Sequence, residues 1–173
     1  MPIRKEDPKL NWLETLPGNT STTLWTRFRP LKDLPQYVNP SSGFLFNTNH
    51  SSFSATASAD NLKVSQFSSA DGWETMENNR SVRFRQRFES TPKIDFQTFR
   101  DIKFDRQYPE KLTFMYQLDS LFLLENAGDD QDNRLLNTLK TWDFQGTAES
   151  KGAAVFMLVY EYLARALRGQ EAR

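Results

Sequence analysis

What most limits the fold of this chain is a segregation of pattern. Apolar stripes at helical spacing crowd into residues 95–167, while the first 75 residues carry almost no periodicity. Asp95 is placed to cap a helix with Phe96, Phe99 and Ile102 on one face. Residues 112–124 are apolar almost all round, and Leu135, Leu136, Leu139 and Trp142 form the stripe of a helix capped by Asp132 or Asn133. Residues 153–167, following Gly146 and Gly152, read as a buried final helix. Helices this apolar must be covered, and few strands are on offer to build a covering sheet. The expected class is α+β, mostly helical with few strands. At 173 residues the chain fits one domain, or a piece of a larger one.

Residues 1–50 read as an irregular lead-in. Leu16-Pro17-Gly18 and Leu34-Pro35 are turn signals around a short strand at 24–28, and a better strand follows at 43–48, where apolar residues run behind Asn39-Pro40-Ser41-Ser42-Gly43. Residues 51–75 form a Ser-rich stretch expected to be an ordered surface loop, and 76–173 the helical region. The run Val82-Arg83-Phe84-Arg85-Gln86-Arg87-Phe88 alternates like a strand, yet Phe84 and Phe88 are spaced as on a helix, so periodicity leaves both readings open.

Charge removes several function classes. Lys plus Arg number 22, as do Asp plus Glu, so no net field gathers nucleic acid or an anionic membrane. No cysteine is present, which excludes a thiolate nucleophile, a disulfide framework and a thiolate-held metal. The charged start Met1-Pro2-Ile3-Arg4-Lys5-Glu6 is not a secretory signal, giving a cytoplasmic expectation for the chain as written. The longest apolar run, 153–160, falls far below the roughly 20 residues that span a bilayer.

Four tempting constellations fail on their chemistry. His50 adjoins Ser51 and Ser52, but a hydrolytic triad needs groups converging from distant segments, so a structural histidine is expected. Asp129 to Asn133 resembles the opening of a calcium loop, yet Arg134 and Lys140 stand where glycine and glutamate are needed, which leaves a turn and helix cap. Arg80, Arg83, Arg85 and Arg87 with Phe84 and Phe88 have the makings of a single-strand-binding surface, but Glu74, Glu77 and Glu89 offset them, as on an amphipathic element. Pro2 lacks the following strand that a proline-amine base would require.

The motif with chemical content is Asn39-Pro40-Ser41-Ser42-Gly43-Phe44-Leu45-Phe46-Asn47-Thr48-Asn49-His50. A side-chain amide after a strand can donate to the oxygen of a tetrahedral intermediate. In Asn39, Pro40, Gly43, Asn47 and Asn49 the run resembles the penicillin acylase family of N-terminal-nucleophile hydrolases, which includes acyl-homoserine lactone and cephalosporin acylases. Trp25, Asn79-Arg80 and Trp142-Asp143 fall at matching places, and Ser52 stands where proline is frequent. The resemblance implies a partial αββα hydrolase, an internal segment of the large subunit. It assigns the oxyanion role to Asn49 and active-site support to Arg80, which tips 82–88 toward helix. Asp60 takes the position of a calcium-ligating aspartate in some members.

The resemblance also implies an acyl-amide substrate, an acyl-enzyme intermediate and a periplasmic location for many members. Its partners would be the small subunit and the segment bearing the serine nucleophile, which in the family lies far upstream of the asparagines. The chain is accordingly expected to be inactive alone. The rival reading is a non-enzymatic helical module whose apolar faces bind a partner chain.

Overall fold

The computed structural model describes residues 1–5, 7–113 and 118–171, with only the backbone at 118, 119 and 167–171. Two compact units divide the chain, Met1–Glu77 and Asn78–Arg173. Its described secondary structure is mostly helical: α1 (Asn79–Glu89), α2 (Phe96–Lys103), α3 (Asp130–Lys140) and α4 (Lys151–Glu171), with short 3-10 turns between and before them.

The first unit is held by side chains reaching across loops. A single antiparallel bridge joins Pro2 to Phe28, fixed by bonds from Ile3 N to Arg27 O and from Arg29 N to Met1 O. That bridge is all that forms of the strand expected at 24–28. The strand expected at 43–48 is likewise absent as a ladder among the described residues: Phe46 N donates to Ala55 O at 2.9 Å and Thr56 Oγ1 to Phe44 O at 2.8 Å. Alternation along the chain turns the Leu45 backbone to the opposite edge, where no described residue pairs with it. The Ser-rich stretch is ordered through 3-10 turns at Ser52–Ser54, Val64–Gln66 and Ser69–Asp71. Phe53 is buried there, in edge contacts with Phe67 and Trp73.

In the second unit the helices begin where side chains can satisfy their first N–H groups. Asn78 caps α1 through Ser81 N, and the Ser81 hydroxyl accepts from Asn78 N in return. The ambiguous run 82–88 is therefore helix, with Phe84 and Phe88 stacked at 4.6 Å and Arg83 Nε 2.8 Å from Asp105 Oδ2. Asp95 caps α2 as expected. Of its expected apolar face only Ile102 is buried, Phe96 being 81% exposed.

Asp129, not Asp132 or Asn133, caps α3, accepting from Gln131 N and Asp132 N. The Asn133 amide is engaged with the preceding loop instead, accepting from Ala127 N and donating to Asn126 Oδ1. Of the helix expected at 112–124, Leu112 and Thr113 are not helical, 114–117 lie outside the described residues, and Leu118–Leu123 is a 3-10 turn.

The main core sits in this unit. Leu112, Leu139, Trp142 and Phe156 form its buried center, flanked by Tyr108, Phe122, Phe144 and Tyr160. Trp142 stacks on Phe156 at 5.1 Å and its indole N–H donates to Gln145 O. A bridge between Gln107 and Gln145, with Tyr108 N donating to Phe144 O and Gly146 N to Arg106 O, ties the loop after α3 to the loop after α2. The α4 helix starts two residues before the expected 153 and is not wholly buried: Phe156 and Ala164 face the core while Met157, Leu158 and Tyr162 are exposed.

Candidate functional site

The asparagine motif is built around left-handed residues. Asn39 has φ +50°, Gly43 φ +75° and Asn49 φ +59°. Asparagine tolerates this region better than most residues because its short side chain bonds the local backbone. Asn47 does so here: its Oδ1 accepts from Asn49 N at 2.7 Å. His50 closes the same turn from the other side. Its Nδ1 accepts from Thr48 N at 3.1 Å, which puts the proton on Nε2, 2.9 Å from Ser54 O, and the ring stacks on Phe46 at 4.7 Å. The expected structural histidine is what the geometry shows.

Asp60 anchors the front of the motif. Its Oδ1 accepts from Ser41 Oγ and its Oδ2 from Ser42 N, both at 2.7 Å. The Ser41 hydroxyl first, and then the Ser42 backbone and side chain, hold this carboxyl below the usual carboxylate range. Behind it Ser42 and Thr56 share a hydroxyl–hydroxyl bond, and Asn61 Oδ1 accepts from Thr56 N and from the Tyr37 hydroxyl. The single Tyr37 Oη–H is shared between Asn61 Oδ1 at 3.3 Å and the nearer Ser52 O at 2.9 Å, and Oη accepts from Leu62 N. Thr56 and Ser51 are fully buried by this arrangement.

As a calcium ligand Asp60 has poor company. Both its oxygens are occupied in pinning a turn, and no group of three His, Asp or Glu side chains gathers among the described residues. These residues do not fit the ion by themselves.

Arg80 occupies the first turn of α1 and is exposed. Asn49 and Arg80 belong to different units. Beside Arg80, Asn79 makes a two-way clamp: Thr113 N donates to Asn79 Oδ1 at 2.6 Å and Asn79 Nδ2 donates to Thr113 O.

Two features of the first unit carried no sequence signal. Asp71, buried at its side chain, pairs with Arg29 at 2.8 Å. They line a cavity of about 470 Å³ with Leu34, Leu62 and Phe67, none of them part of the asparagine motif. The pairing joins residues 42 positions apart with no patterned spacing to betray it.

Asn49 is an exposed residue of this turn, which the Asn47 and His50 side chains hold through the backbone N–H groups of Asn49 and Thr48. The penicillin amidase family model matches residues 1–173, and the chain belongs to that family. No solved structure matches it. Among the described residues no helix is long and apolar enough to cross a membrane.

Proposed function

We propose that this chain contributes the oxyanion-binding part of an amide-hydrolyzing acylase of N-terminal-nucleophile type. The observation that carries the reading is the exposed Asn49, second asparagine of the motif, held on a clipped left-handed turn in a chain of the penicillin amidase family. A serine at the start of the nucleophile-bearing segment attacks the amide carbon, with its own α-amine, of unperturbed pKa about 7.7–8, as base. As the carbonyl oxygen gains charge, the Asn49 Nδ2–H donates to it, a contribution of about 3–4 kcal/mol to the transition state by analogy with other such donors. Arg80, in the second unit, carries the active-site support that the family resemblance implies for it. Nucleophile and acyl pocket come from segments outside these 173 residues. Calcium would need ligands beyond those described, and no step runs through it.

The test is hydrolysis of chromogenic acyl amides by the purified chain. No turnover is expected, because catalytic groups that act as a unit lose nearly everything when one is missing. Turnover abolished by Asn49→Ala would show a complete site within the chain. Met157, Leu158 and Tyr162 on α4 favor the second reading, a binding module, and stable monodisperse behavior of the chain would strengthen it.

A further inference from the structure

His50 and Asn47 form two clips on either side of Asn49. Asn47 Oδ1 takes the Asn49 N–H, while His50 Nδ1 takes the Thr48 N–H and lies 3.1 Å from the Thr48 hydroxyl. A backbone N–H only donates, so the imidazole is committed to accepting at Nδ1 and donating at Nε2 to Ser54 O. Stacking on Phe46, at an interplanar angle of 22°, fixes the plane of the ring. Residues 46, 47, 48, 50 and 54 are thus tied together around Asn49, whose backbone is held in the left-handed region at φ +59°.

We propose that His50 and Asn47 are positioning residues that aim the Asn49 amide. The inference deepens the oxyanion reading and rests on it. A donor stabilizes developing charge fully only when its direction is set before the reaction, and a misplacement of about 1 Å costs on the order of a hundredfold in rate. The two clips supply that direction through side-chain bonds to backbone, with no regular strand to do it.

The experiment is NMR of the 173-residue chain and three variants, read at three places. These are the His50 ring nitrogens, the HN–Hα coupling of Asn49, and amide exchange at Thr48 and Asn49. The ring is expected to be protonated at Nε2. His50→Phe keeps the stack and loses both bonds, so Thr48 and Asn49 amides should exchange at least tenfold faster and the Asn49 coupling should drift toward an averaged value. His50→Gln restores an acceptor and a donor and should recover most of the protection. Asn47→Ala should expose Asn49 N–H alone, and it decides the matter should His50→Phe lose its global dispersion. An Asn49 coupling and exchange rate unmoved by His50→Phe, or by Asn47→Ala in that event, overturns the positioning inference. A failure of the oxyanion reading looks different: the clips respond as expected, yet Asn49→Ala leaves turnover of the assembled acylase unchanged.

Discussion

Gly152 stands under the face of Trp142. A Cβ placed on it would lie 2.4 Å from three atoms of that side chain, its own Cβ among them. Neither partner has room to yield, since Trp142 is only 6% exposed and is packed on Phe156, Tyr108 and Phe144. Gly152→Ala should therefore cost at least the 1–3 kcal/mol typical of overpacking, despite alanine's better helix propensity, as measured by denaturant unfolding. A neutral or stabilizing result would show that α4 starts elsewhere. From sequence Gly152 read as a break before the helix. Its true use, a missing side chain inside the first turn, depends on which residue lies opposite. Trp142 and Leu139 were legible as a stripe because helical spacing puts them on one face whatever they touch. Asn49 was legible only through its motif, and the clips around it became visible once distances were known.

At the scale of elements, apolar pattern located the helices and misjudged their ends and partners. The stretch Asp129 to Asn133 offers four capping side chains, and the choice of Asp129 follows from Asn133 being taken by the loop before it. Residues 44–47 have the composition of a strand, but a ladder needs a neighboring strand, and what meets them is a single bond each with Ala55 and Thr56. The turn before it depends on Asp60, whose carboxyl lies below its ordinary value of 3.8. A depressed folded value means that its stabilization is complete above the unfolded value and disappears as pH falls through the lower folded one. Asp60→Asn should consequently melt below the parent chain at pH 7, and the gap should close as pH falls through the lowered value of the folded carboxyl. A gap that is constant with pH would mean that the charge contributes nothing to the turn.

Over the whole molecule, apolar burial is divided unequally. The first unit has Phe53 with Phe67 and Trp73, while Leu13, Leu24, Trp25, Phe28, Leu31 and Val38 are exposed. The second has a cluster of four buried residues ringed by aromatics. Local opening follows burial, so chymotrypsin should cut first among the exposed aromatic and leucine sites of residues 1–77 and leave a product containing α3 and α4. Early cleavage between 130 and 164 would contradict this. Exposed apolar residues in both units also predict that the chain alone is poorly soluble.

The boundary between the units carries a practical consequence, because Asn78, its first residue beyond the divide, is also the cap of α1. A polypeptide starting at Asn78 retains the reciprocal bonds with Ser81, whereas one starting a single residue later opens its first helix with the Ser81 amide and hydroxyl both deprived of their partner.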